Sequence, residues 1–171
     1  MDDGHEGLHE AWLTVLYVLL KKMRQFGNLA VEGDIFSPKE STIFAEHPKA
    51  IKEPYLKYAS NIFGQFLNGT TDPGDIDIYI NLAKRKPMSH RDVDISVLDC
   101  IGISLLMHSR GAEPKVAIQF AGQCVAHVKQ SDPYALMQHF ESVWAEYFIR
   151  HHLKPQEELD SAIDRFVLSL K

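Results

Sequence analysis

Cysteines and long apolar runs are both scarce in this sequence. Its 171 residues include two cysteines, Cys100 and Cys124, too few for a disulfide scaffold. Both fall on apolar helical patterns, which predicts reduced core thiols in a cytoplasmic protein. The longest apolar stretch, residues 11–20, ends at Lys21 and Lys22, whereas a transmembrane helix needs about 20 apolar residues. We therefore expect a soluble chain with no membrane span.

An excess of positive charge is also missing. The formal net charge is -5 and the isoelectric point is near 6.0, which argues against a nucleic-acid-binding protein, because binding phosphates requires a basic face. Hydrophobic residues make up 45% of the chain and charged residues 24%, as in ordinary globular domains. We expect residues 1–171 to form one domain with a substantial core.

Alternation typical of strands is nearly absent, the exception being residues 75–80. Apolar residues instead recur at helical spacing, and capping residues, glycines and prolines separate the segments. The pattern predicts an all-α fold, a compact bundle of about six to seven helices. The predicted helical segments run over about residues 8–30, 37–47, 53–67, 73–86, 90–110, 114–129, 133–153 and 156–170. In the second of them, residues 37–40 form a capping box.

His5, Glu6 and His9 fit the H-E-x-x-H pattern of zinc peptidases, in which two histidines bind the metal and the glutamate activates water. Here the pattern lies at the extreme N-terminus and has no recognisable third ligand. We interpret it as a solvated helix end and predict no metal site.

Gly64 and Gln65, followed by Asp75 and Asp77, have the spacing of a nucleotidyltransferase site, in which a Gly-Ser turn holds phosphate and two carboxylates bind magnesium. Glutamine occupies the position of the serine, and acidic residues after Asp72 also suit the first turn of a helix. Helix capping is the preferred interpretation. We predict no catalytic residues and no cofactor, and a nucleotidyltransferase-like enzyme remains a remote alternative.

His151 and His152, beside Arg150 and Lys154, suggest a metal or anion site. Adjacent histidines point to different faces of a helix, so they rarely share a metal. Cations near a helix C-terminus are the better interpretation.

One segment carries a specific family resemblance. Residues 24–48 read RQFGNLAVEGDIFSPKESTIFAEHP. This segment resembles the region after the second membrane helix in flagellar stator A-subunits of the MotA family. The shared positions are Arg24, Gly27, Leu29, Glu32, Asp34, Ile35, Pro38, Glu40, Ser41, Ile43, Phe44 and Pro48.

A second, weaker block resembles the segment after the fourth membrane helix of that family. Its shared positions are Leu105, Leu106, Gly111, Pro114, Ala117 and Phe120. The resemblance divides the domain into residues 1–86, like the loop between membrane helices two and three, and residues 91–130, like the post-fourth-helix segment. Residues 131–171 would be additional C-terminal helices, available to cover the apolar stretch 11–20, with self-association as the alternative.

The resemblance implies a non-catalytic cytoplasmic domain that binds a FliG-type rotor protein or modulates motility. In the family, an arginine and a glutamate of this region contact the rotor, and they match Arg24 and Glu32. A continuous helix would place both on one face, with Lys21 and Lys22 extending the basic patch. A domesticated protein-interaction adaptor without a motor role is the alternative function.

Overall fold

The computed structural model describes residues 3–85, 93–124 and 133–152. Within these ranges the chain forms eight α-helices and two 3-10 helices, with no strand, so the predicted all-α class is confirmed. The α-helices are α1 (Asp3–Phe26), α2 (Glu32–Phe36), α3 (Thr42–Glu46), α4 (Glu53–Leu67), α5 (Pro73–Arg85), α6 (Ile95–Ser109), α7 (Pro114–Gly122) and α8 (Pro133–His152). The 3-10 helices are Asn28–Val31 and Pro48–Ala50. None of the described helices has both the length and the apolar composition needed to cross a membrane.

Helix α1 lies at the centre of the fold. Every residue from 11 to 20 is buried, including the whole circumference of the helix over almost three turns. A helix that is apolar all round needs neighbours on every side, and α1 packs against α3, α6, α7, α8 and both 3-10 helices. Trp12 contacts Phe44 and Tyr55 edge-to-face. The apolar stretch of the sequence is therefore the core of the domain.

Helix α8 supplies one wall around α1. Phe140 is fully buried and stacks on Tyr17, with ring centroids 5.5 Å apart. Trp144 and Tyr147 are also buried on α8. The C-terminal part of the chain thus covers α1 as expected; the predicted last helix, residues 156–170, lies outside the described residues.

Residues 75–80, the one stretch with strand-like alternation, belong to α5, so the helix predicted over residues 73–86 is confirmed. Asp72 precedes the helix, and its Oδ1 accepts hydrogen bonds from the backbone N–H groups of Gly74 and Asp75. Ile76 and Ile80 are buried one turn apart, whereas Ile78 is exposed. The alternation of polar and apolar residues in this short segment therefore does not mark a strand. Its apolar residues lie on both the buried and the exposed side of a capped helix.

Three predicted helix ends also need correction. Residues 38–40 form a turn, and Ser41 caps α3 by accepting from the N–H of Phe44, so the proposed capping box does not start that helix. Asp94 caps α6, so this helix begins at Ile95 and not near the predicted residue 90. Helix α7 ends at Gly122, before the predicted residue 129, because short-range bonds to the carbonyls of residues 120 and 121 close it.

Gly27 ends α1 with a φ of 88°, a left-handed conformation that side chains disfavour. No atom of the described residues lies within 4 Å of a Cβ built there, so the constraint is conformational. We expect Gly27→Ala to lower the free energy of unfolding by about 1 kcal/mol. Gly33 is the matched control, since it is helical and equally unobstructed, and Gly33→Ala should be neutral or stabilising. Guanidinium unfolding compares them; equal effects would contradict this explanation.

Candidate partner-binding surface

Arg24 lies in the last turn of α1, where a cation complements the helix dipole. Its side chain is half exposed, and its Nη2 atom donates to Oε1 of Glu113 at 2.6 Å. Glu113 precedes α7 and is itself largely exposed. An ion pair this open to water contributes at most about 1 kcal/mol, so Arg24 remains available to a competing anion.

Glu32 is the first residue of α2 and is exposed. No continuous helix joins Arg24 to Glu32. The helix predicted over residues 8–30 ends earlier, at Phe26, and the 3-10 helix Asn28–Val31 intervenes. At the start of α2 the carboxylate meets the positive end of the helix dipole. The two charges therefore stand on separate elements joined by a short, tightly packed connection.

Two large apolar side chains are exposed between these charges. Phe26 is 50% exposed and Leu29 is 66% exposed. We call Arg24, Phe26, Leu29 and Glu32 the 24–32 surface. Exposed apolar groups beside opposite charges are the usual composition of an interface, with apolar contact at the centre and charges setting the register.

Lys22 faces the interior of the domain. Its Nζ lies 2.7 Å from Oδ2 of Asp34, with side chains 16% and 8% exposed. The other oxygen of Asp34 accepts from the Ser41 hydroxyl at 2.6 Å. This buried network ties α1 to α2 and to the cap of α3, and we leave Lys22 out of the proposed contact.

Lys21 is also engaged within the domain. Its Nζ lies 3.5 Å from Oε2 of Glu141 on α8 and 5.5 Å from the centroid of the Tyr17 ring. Tyr17 donates its hydroxyl to the other oxygen of Glu141, and burial together with this hydrogen bond raises the pKa of the phenol above its ordinary range. Lys21 therefore helps to hold α8 on α1.

A cavity of about 310 Å³ opens beside Arg24. It lies where the C-terminal ends of α1, α4 and α6 converge, and it is lined by Met23, Arg24, Asn28, Phe66, Thr71, His108 and Ser109. Nε2 of His108 lies 3.3 Å from Oδ1 of Asn28, and the buried Nδ1 has no hydrogen-bond partner among the described residues. Burial, and secondarily the charge of Arg24, lowers the pKa of His108, so its imidazole is neutral near pH 7.

Only His9 of the zinc-peptidase pattern has a described side chain, and for His9 the expected solvated helix end is wrong. The side chain of His9 is buried, with Nε2 2.6 Å from the Ser96 hydroxyl and 3.2 Å from Asp94. His5 and Glu6 have side chains outside the described part. Within the part of the chain that the structure describes, no group of three metal-binding side chains occurs. His9 links α1 to the start of α6.

The other two patterns also have structural explanations. Asp75 and Asp77 are exposed on α5, not on a strand. Arg150 Nη1 and His151 Nε2 both lie against Oε1 of Glu46, at 3.0 and 3.3 Å, and join α8 to α3, while the side chain of His152 is outside the described residues.

The two cysteines lie between α6 and the end of α7. The thiol of Cys100 donates to the carbonyl of Ala121 at 3.1 Å, and burial raises its pKa above the ordinary range. Cys124 is partly buried, which raises its pKa as well. Both are free thiols, and Cys100 is a core residue as predicted.

Sequence reasoning missed the carboxylates that pair with the basic residues of α1. Asp34 lies 12 residues after Lys22, Glu113 lies 89 residues after Arg24, and Glu141 lies 120 residues after Lys21. Such pairs have no local spacing signal. Apolar neighbours of Lys21 and Lys22 were the one available hint that these lysines face inward.

Comparison with known proteins gives two partial matches. Motility protein A of Escherichia coli K12 is 26% identical over 127 residues, covering 67% of this chain and 43% of that protein. Motility protein A of Salmonella typhimurium LT2 is 30% identical over 94 residues, covering 54% of this chain and 32% of that protein. The chain thus aligns with less than half the length of either relative.

No protein-family model matches the chain, and no solved structure matches it. Both relatives bear the name of the family that residues 24–48 resemble. Together they support a MotA-like relationship and a role connected with motility.

Proposed function

We propose that this chain is a non-catalytic, MotA-like cytoplasmic interaction domain that binds a FliG-type rotor protein through the 24–32 surface. The observation that carries the proposal is the different placement of the basic residues. Lys22 is held by the buried carboxylate of Asp34, and Lys21 is only 24% exposed beside Glu141. Arg24 is 50% exposed and its partner Glu113 is 62% exposed, and Arg24 lies near exposed Phe26 and Leu29 in the sequence. The residue that the resemblance assigns to the partner is therefore the one left at the surface.

The chemistry of the surface suits a partner with both signs of charge. Arg24 and Glu32 offer one cation and one anion, which guide association and fix register more than they add affinity. Leu29 can supply apolar contact at the centre, where buried side chains contribute most to affinity. Arginine presents a planar donor fork to a carboxylate.

We expect Arg24→Glu and Glu32→Lys each to weaken binding to the C-terminal domain of a FliG-type rotor protein at least about tenfold, because each places like charges opposite each other. Isothermal titration at low ionic strength measures the affinities. Arg150→Glu is the matched control, since Arg150 is 53% exposed and also pairs with glutamates. It should bind as the unmodified chain does.

Two results would count against the proposal. Equal affinity of all variants would remove Arg24 and Glu32 from the contact. No measurable affinity in the unmodified chain would favour the adaptor function, in which the fold serves another partner. Sedimentation of the unmodified chain at several concentrations tests whether the exposed apolar residues are used in self-association instead.

A further inference from the structure

We propose that the cavity beside Arg24 is a carboxylate-binding site in which an incoming carboxylate replaces Glu113 on the guanidinium group of Arg24. The inference deepens the proposed function, because the site adjoins the 24–32 surface. Its own evidence is the geometry of the cavity and of the Arg24–Glu113 pair.

The cavity has the size and donors for a small anionic group. Its volume of about 310 Å³ is at the lower end of small-molecule sites. Five of its seven lining residues are polar, and Arg24 is the permanent cation among them. Asn28 uses its amide oxygen with His108, which leaves its amide nitrogen for an acceptor, and Thr71 contributes a hydroxyl.

Glu113 competes with that anion for the guanidinium group of Arg24. Its carboxylate already forms a short, charge-assisted bond to Arg24. Both partners are exposed, so the pair is easily exchanged, unlike the buried pair of Lys22 and Asp34. A carboxylate that enters the cavity can thus take the position of Glu113 without opening the core.

The pKa of His108 should change when a ligand occupies the cavity. Its imidazole lines the cavity, and Arg24 contributes to the lowering of its pKa. A bound carboxylate offsets the charge of Arg24 and should raise the pKa of His108. The Nε–Hε signal of Arg24 reports the exchange of partners directly.

The test is an NMR titration of the full chain with sodium succinate at constant ionic strength. We expect succinate to shift the signals of Arg24 and His108, with an affinity about fivefold higher in Glu113→Gln, which removes the competing charge. Glu146→Gln is the matched control, because Glu146 pairs with Arg150 at 3.3 Å away from the cavity, and its affinity should not change. Arg24→Gln should abolish the shift at His108.

Two results would overturn the site: no response of Arg24 and His108 to succinate in Glu113→Gln, or equal affinities for Glu113→Gln and the unmodified chain.

A second titration, with the blocked peptide acetyl-Gly-Asp-Gly-amide and with acetate, identifies the source of the ligand. Tighter binding of the peptide upholds a partner side chain as ligand, whereas equal binding upholds a free small carboxylate. A chain that binds succinate but no rotor would refute the proposed function and leave this site intact.

Discussion

Asp34→Ala is expected to lower the free energy of unfolding by about 3–5 kcal/mol, because it leaves the ammonium group of Lys22 buried without its counter-ion. The Lys22 side chain is only 16% exposed, and Asp34 is its salt-bridge partner. The same substitution removes the acceptor of the Ser41 hydroxyl, which caps α3. The contacts that join α1, α2 and the cap of α3 are therefore lost together.

Guanidinium unfolding followed by circular dichroism measures this loss. The double variant Lys22→Met with Asp34→Leu should be markedly more stable than Asp34→Ala, since no charge is left buried. Glu113→Ala is the control for an exposed pair, with an expected change within about 1 kcal/mol. A similar small change for Asp34→Ala would show that Lys22 reaches solvent and that the network does not hold α2.

Phe140→Ala is expected to cost about 3–5 kcal/mol, because the ring is fully buried and stacked on Tyr17. The cavity left behind would lie between α8 and the central helix α1. The bonds from Tyr17 and Lys21 to Glu141, one residue further along α8, would weaken with it. The prediction tests whether α8 is an integral wall of the core.

Phe120→Ala provides the size-matched control, since Phe120 is 52% exposed on α7 and its truncation should change stability by no more than about 0.5 kcal/mol. Unfolding curves recorded for both variants under the same conditions give the two changes in the free energy of unfolding. Equal and small effects would mean that α8 contributes little to the fold, and α1 would then need another cover.

The helical architecture was predictable because its signals are local. The proline and glycine boundaries of α4 and the cap of α5 were read directly from neighbouring residues. The error at α3 arose because Ser37 and Ser41 are both suitable capping residues, and tertiary contacts select between them. Ser41 is the residue that caps α3, and its hydroxyl also donates a hydrogen bond to Asp34.

The two charged members of the candidate surface were predictable, but its apolar members and its geometry were not. The resemblance pointed to Arg24 and Glu32, and both are exposed. The same resemblance grouped Lys21 and Lys22 with Arg24, although each of the three pairs with a different carboxylate: Glu141, Asp34 and Glu113. Periodicity cannot reveal such pairings, because they depend on how α2, α7 and α8 pack against α1.

The most direct test of the central claim is amide hydrogen exchange of this chain with and without a FliG-type rotor domain. The proposal predicts slower exchange over residues 24–32 in the complex, since these amides belong to the segment that carries the 24–32 surface. The outer face of α5, which carries exposed Ile78 and Leu82, should exchange equally fast in both samples. Protection confined to α5, or no protection at saturating rotor, would contradict the account.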